Sequence, residues 1–253
     1  MHAELIYPVL LLAGLAAGFI DSIAGGGGLI TLPTLLAVGL PPHLALGTNK
    51  LQSSFGTATS TWRYRKRGMV SLRQSIPGII FTAIGAGSGA FLAQVVSGDF
   101  LGKALPFLLV GILIYFLLTR KQQVSVGSAR WRTLPFYLLF GLSLGFYDGF
   151  FGPGTGSFWP VALMALLGLD LVRATATTKV MNFTSNICAL ITFLIGGQVV
   201  FTYGLTMAAG QLIGARLGSD MAVRKGVGFI RPIFVLVVLA TCAKVFYDSY
   251  FAG

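Results

Sequence analysis

The chain is a succession of apolar runs punctuated by glycine, proline and clustered basic residues. The runs lie at about 5–20, 29–40, 44–62, 75–96, 101–119, 134–147, 158–169, 171–195, 199–215 and 229–247. Several match the roughly 20 residues that an α-helix needs to cross a bilayer, whereas the runs flanking the glycine stretches are shorter and predict half-helices or tilted, broken segments. The first break is Phe19-Ile20-Asp21-Ser22-Ile23-Ala24-Gly25-Gly26-Gly27-Gly28-Leu29-Ile30-Thr31-Leu32-Pro33. A carboxylate closes one apolar run, four glycines end the helix, and the next apolar run starts at once. Backbone groups at such a point have lost their helical partners. In hydrocarbon each unsatisfied group costs several kcal/mol, so the break persists only where protein surrounds it or where it lines a polar cavity. That makes it a candidate binding site.

The break occurs twice. Asp21, Gly25 and Pro33 recur at a constant spacing of 127 as Asp148, Gly152 and Pro160, within Phe146-Tyr147-Asp148-Gly149-Phe150-Phe151-Gly152-Pro153-Gly154-Thr155-Gly156-Ser157-Phe158-Trp159-Pro160. Gly39, Ala45 and Lys50 recur 129 positions on as Gly168, Ala174 and Lys179, and Gly85 and Gly89 recur 125 positions on as Gly210 and Gly214. The chain therefore reads as two related membrane repeats, 1–125 and 126–253.

Composition agrees with a membrane protein: 55% of residues are hydrophobic, only 10% are charged, and the mean hydropathy is +0.83. A net charge of +11 raises the question of nucleic acid, but the positions of the charges answer it. Thirteen of the eighteen Lys and Arg fall in three places, Arg63 to Arg73, Arg120 to Arg132 and Arg216 to Arg231. These are short segments at membrane edges, which the positive-inside rule assigns to the cytoplasm. No nucleic-acid partner is expected. In the first half the loop after the Lys50 segment is basic and the next is not; in the second half the loop after the Lys179 segment carries no charge and the next is basic. Equivalent loops then face opposite sides, which predicts inverted-topology repeats joined by a cytoplasmic linker, Arg120 to Arg132, with both termini outside. The fold class expected is an all-α polytopic membrane protein of two inverted repeats with glycine-broken half-helices. The first apolar run lacks a basic segment before it and is not expected to be a cleaved signal peptide.

The segment from His43 to Thr57 is too polar for a lipid-facing helix, and Lys50, Ser53 or Ser54, and Thr57 share one helical face. Eight residues from Pro42 put Lys50 about 12 Å along a helix, against a bilayer half-thickness of about 15 Å. A lysine at that depth costs about 2.5–3.5 kcal/mol to insert, so it needs a partner or a water-filled cavity. Lys179 occupies the matching place, with Asn182 and Asn186 on its face. Asp21 and Asp148 are the candidate ion-pair partners, and they are equally candidates for coupling a proton. Alternatives for the lysines are pairing that merely holds the halves together, or snorkelling to an interface.

Other chemistry is not signalled. Cys188 and Cys242 sit inside apolar runs without a CxxC motif, and His2 and His43 belong to no ligand spacing, so no metal and no cofactor is expected. Gly85-Ala86-Gly87-Ser88-Gly89, Gly210, Gly214, and Gly14 with Gly18 read as close helix packing. No strand precedes any glycine run, which sets aside a soluble nucleotide fold. With seven acids and no nucleophile–base pair, an enzyme is not expected.

The repeated Asp-then-glycine motif followed by proline, together with Gly47-Thr48-Asn49-Lys50, resembles the TauE/SafE permease family, also called the sulfite exporter or TSUP family, nearly end to end. Ala24-Gly25-Gly26-Gly27-Gly28-Leu29-Ile30 with Pro41-Pro42-His43-Leu44-Ala45-Leu46-Gly47-Thr48-Asn49-Lys50 is similar to its YfcA-like branch. The resemblance implies a secondary transporter of small anions, often sulfur-containing, such as sulfite, thiosulfate or sulfonates, in the bacterial cell inner membrane. A homo-oligomer is compatible with it. The second half departs from the first at Pro153 for Gly26, Thr155 for Gly28 and Thr178 for Asn49, so the expected cavity has unequal walls. Its candidate substrate-binding residues are the half-helix starts Gly27, Gly28, Leu29 and Thr155, Gly156, Ser157, with Asn49, Lys50, Ser53, Lys179 and Asn182. A membrane-embedded assembly, sensor or enzyme component, and an anion channel, stand as alternatives.

Overall fold

Each apolar run within the described residues becomes a helix, and the glycine breaks become helix boundaries. The computed structural model describes residues 3–118 and 130–225, and all regular structure among them is helical. In chain order the helices are α1 (Ala3–Ala24), α2 (Gly28–Ala37), α3 (Pro42–Lys66), α4 (Ile76–Val95), α5 (Gly98–Leu118), α6 (Thr133–Phe136), α7 (Leu142–Phe150), α8 (Thr155–Leu167), α9 (Leu171–Ile195) and α10 (Phe201–Lys225). A wide π-helical turn, Tyr137–Gly141, joins α6 to α7. His2, Cys242, the last apolar run and most of the linker between Arg120 and Arg132 lie outside the described residues.

Helices α1, α4 and α9 are long and apolar enough to cross a membrane. Helix α3 is as long as α9 but is polar along its inner face, which buries Asn49, Lys50, Gln52 and Thr57. The burial pattern is the reverse of that of a water-soluble bundle. Lys50 and Lys179 are 1% and 0% exposed, whereas Leu12, Phe91 and Ile195 are 63%, 65% and 85% exposed. Charged side chains are seldom fully buried in water-soluble proteins, and large apolar ones on the outside suit a lipid surround.

Packing is reciprocal between the halves. Helix α1 lies along α10 and α7 along α4, while α3 packs on both α9 and α10, and α4 on α9. Glycines let these backbones touch. A Cβ on Gly14 would stand 2.2 Å from the Met207 carbonyl oxygen, one on Gly210 2.2 Å from that of Leu11, and one on Gly89 2.1 Å from that of Phe146. This is the close packing read from the glycine spacings. The π turn carries no comparable mark in the sequence. Around its extra residue Phe136 and Tyr137 pack on Trp159, Tyr137 also meets Gly78 of α4, and Gly141, Gly145 and Gly149 face α4.

Candidate functional site

Both glycine breaks lie at the centre of the bundle, against each other. Gly25 and Gly152 hold the equivalent positive backbone angles, φ +74 and +98, that end α1 and α7. A Cβ on Gly25 would meet the Gly156 carbonyl carbon at 2.2 Å, and one on Gly28 would meet Pro153 Cα at 3.3 Å, so each break is seated on the other. Ser157 Oγ donates to the Ala24 carbonyl and ties the start of α8 to the end of α1.

Each lysine closes the break of the opposite half. Lys50 Nζ, from α3, donates to the backbone carbonyl of Asp148 and to its Oδ1 at 2.8 Å. Lys179 Nζ, from α9, donates to the backbone carbonyl of Asp21 and to its Oδ2 at 3.1 Å. Each cation meets the negative end of a helix dipole. Lys50 satisfies an Asp148 carbonyl that accepts from no backbone amide among the described residues, whereas the Asp21 carbonyl also accepts from the Gly25 amide at 3.0 Å. Gly152 permits the first contact, since a Cβ there would stand 2.9 Å from Lys50 Nζ.

Between the breaks lies a polar cavity of about 30 Å³, walled by Asp21, Gly26 to Gly28, Asn49, Lys50, Ser53, Thr57, Asp148, Gly152, Gly154 to Gly156, Asn182, Asn186 and Gln211. Holding one water takes about 10–15 Å³ and drug-sized pockets run to about 300–1,000 Å³, so the space suits a solute of a few atoms. Helices α2 and α8 start at its wall, and among the described residues the amides of Gly28 and Gly156 donate to no backbone carbonyl or side chain. Asn182 Oδ1 is buried without a hydrogen-bond partner. Thr57 and Asn186, equivalent positions of α3 and α9, meet at 3.5 Å.

Of the residues singled out by sequence, Asp21, Gly27, Gly28, Asn49, Lys50, Ser53, Asp148, Thr155, Gly156 and Asn182 come together on this cavity. Leu29 is buried in the apolar core beside Ala17, Ile20 and Tyr64, Ser157 faces Ala24, and Lys179 lies behind Asp21 rather than on the wall. Two residues were not singled out. Gln211 donates to Gln52, which donates to Asn49, which also accepts from Thr31; Ser185 donates to Asp148 Oδ2. A solitary amide between Gly210 and Gly214 of an apolar helix is a costly residue and was the available signal for Gln211. Among the described residues no cluster of His, Cys, Asp and Glu could hold a metal ion.

A bundle that is apolar outside, with two buried ion pairs and two broken helices around a small polar cavity, has the character of a membrane transporter. The sequence comparisons agree. The family described as Sulfite exporter TauE/SafE matches residues 10–245, and the chain belongs to that family of membrane transporters. It is 45% identical to the probable membrane transporter protein YfcA of Escherichia coli over 250 residues, 99% of this chain and 93% of the relative. It is equally 45% identical to a probable membrane transporter protein of Haemophilus influenzae, over 95% and 94% of the two chains. Identity to the probable membrane transporter protein YdhB of Bacillus subtilis is 25%, over 85% and 88%. No solved structure matches.

Proposed function

We propose that this chain is a multi-pass secondary transporter of small sulfur-containing anions, of the sulfite, thiosulfate or sulfonate type, across the bacterial inner membrane. The observation that carries the reading is the convergence of Lys50 Nζ with the uncommitted amides of Gly28 and Gly156 on one small cavity. An ammonium and two helix N-termini form an anion site, and the cavity's size favours an anion of few atoms. Asn182 and Ser53 add polar contacts, and Lys179 adds positive potential from behind Asp21.

The same proposal includes inverted-topology repeats, 1–125 and 126–253, alternating access around the fixed cavity. Reciprocal packing of α1 on α10 and α7 on α4, and ion pairs exchanged between the halves, support it. The test is uptake of labelled sulfite, thiosulfate and methanesulfonate by the purified protein in liposomes. Saturable uptake of at least one, weakened in Lys50→Met, is expected. Flux that rises linearly with concentration indicates a channel and overturns the carrier reading, and no uptake of any of the three overturns the choice of substrate.

A further inference from the structure

The two buried ion pairs differ in what their aspartates can do. Asp148 Oδ1 meets Lys50 at 2.8 Å and its Oδ2 accepts from Ser185 Oγ, while the same Ser185 oxygen lies 3.1 Å from the Asn182 carbonyl. A serine hydroxyl is both donor and acceptor and turns to suit its neighbours. With Asp148 ionised, Ser185 donates to it. With Asp148 protonated, the carboxyl O–H donates to Ser185 Oγ, and the serine proton turns to the Asn182 carbonyl. Both charge states are hydrogen-bonded without moving a heavy atom.

Asp21 has no such arrangement. Its Oδ1 faces the Gly27 amide at 3.3 Å and its Oδ2 the Lys179 ammonium at 3.1 Å, and both of these only donate. Where Ser185 stands in the second half, 129 positions earlier, the first half has Gly56, packed on the Gln211 side chain. Among the described residues, the side-chain partners of Asp21 are donors only, which suit its ionised form.

An anion arriving at Lys50 sets two negative charges around one ammonium. In a low-dielectric interior two like charges so close repel strongly, and one added proton removes the excess charge. The other groups facing Asp148 supply no second cation. Tyr147 gives its hydroxyl to the Pro153 carbonyl at 2.7 Å. Lys179 on α9 is engaged with Asp21, which lines the cavity from α1. Helices α4 and α8, also packed on α7, contain no titratable side chain.

We propose that Asp148 is the proton-coupling residue and that Asp21 is not. The anion takes the Lys50 ammonium from the Asp148 carboxylate, which stays beside Ser185 and binds one proton from the adjoining aqueous phase, and anion and proton cross together. On the far side the anion leaves, the proton leaves, and Lys50 returns to Asp148. This rests on the anion reading of the cavity. It goes beyond that reading in separating two aspartates that the repeat makes equivalent.

The experiment uses the full chain in liposomes with radiolabelled thiosulfate as the probe, membrane potential clamped, and an imposed pH gradient, acid outside. Wild type should accumulate thiosulfate and acidify the lumen. Asp148→Asn resembles the protonated state, so it should lose accumulation by about ten-fold or more while retaining thiosulfate exchange, within the usual span of coupling between linked sites. Ser185→Ala, which leaves the Lys50–Asp148 contact in place, should cut gradient-driven accumulation more than exchange. Asp21→Asn should keep the wild-type stimulation by the gradient per folded molecule. Full stimulation in Asp148→Asn or in Ser185→Ala, or loss of stimulation in folded Asp21→Asn, overturns the proposal. If Asp148→Asn aggregates, Ser185→Ala decides. Wild-type transport indifferent to the gradient overturns the coupling and leaves the anion reading standing; a wild type that neither binds nor moves thiosulfate, sulfite or methanesulfonate overturns both.

Discussion

A buried ammonium is stable only when its partners are fixed in place. Lys179, 0% exposed, meets that condition through the carbonyl and carboxylate of Asp21 and has no opening onto the cavity. Removing one partner of a buried pair leaves the other uncompensated and costs about 3–5 kcal/mol, whereas neutral groups at both positions avoid that loss. Lys179→Met should therefore lower thermal stability in detergent, and Lys179→Met with Asp21→Asn should recover most of it. Lys50 is placed differently. Its ammonium faces the cavity, and Asp148 keeps Ser185 as a second partner, so Lys50→Met should lose stability less and anion affinity more. A hydrogen bond to a charged group is worth about 1.5–3 kcal/mol, which is roughly ten- to a hundred-fold in affinity for the labelled anion. Lys50→Arg keeps the charge in a different shape and should fall between. Equal effects of the two Met substitutions on both stability and affinity would contradict this division.

At the scale of helices, the sequence shows where backbones must part and where they must touch, because both need glycine. The breaks after Asp21 and Asp148 are visible as residues that tolerate a positive φ between apolar runs, and α2 and α8 start where those residues end. Side-chain choices inside the helices are less visible. Ser185 reads as one more small residue on a polar face, and only the approach of α7 to α9 makes it a partner of Asp148. The π turn at Tyr137–Gly141 likewise serves two packing surfaces, with Tyr137 against both Trp159 and Gly78 of α4, and no local residue announces it. The touching glycines give a test within one helix. Gly89 of α4 has the Phe146 carbonyl oxygen 2.1 Å from where a Cβ would stand, and Gly87, two residues earlier, has nothing within 4 Å. Gly89→Ala must push α7 away and should destabilise by about 1–3 kcal/mol or more. Gly87→Ala meets no obstacle and removes a weak helix former, so it should be neutral or stabilise by up to about 1 kcal/mol. Thermal unfolding of the two variants in detergent, with the same measured on wild type, checks the contrast.

For the whole molecule the distribution of charge defines two unlike ends. Arg65, Arg73 and Arg173 surround one depression of about 1,050 Å³ together with Trp131 and Thr133, so the α3–α4 loop, the start of α6 and the α8–α9 loop share an end. Arg63 and Arg67 join that end to α10 through Asp220. The opposite end is fastened by neutral contacts. His43 Nε2 lies 2.9 Å from the Val96 carbonyl, Gln94 donates to the Thr192 carbonyl, and the Val200 amide donates to Thr48. Loops rich in Lys and Arg stay in the cytoplasm, so the arginine-lined end should be internal and the end bearing exposed Asp99 external. This can be measured with single cysteines placed in a background where Cys188 and Cys242 are Ser. Arg65→Cys, Arg130→Cys and Arg173→Cys should react with an impermeant maleimide only after the inner face is opened, and Asp99→Cys should react in intact cells. A reporter on the N-terminus should read outside. Because α4 alone separates Arg73 from Asp99, labelling of Arg65→Cys and Asp99→Cys from the same face would mean that α4 does not cross. The halves could not then be inverted copies, and a carrier that rocks one repeat against the other around Lys50 would have no structural basis.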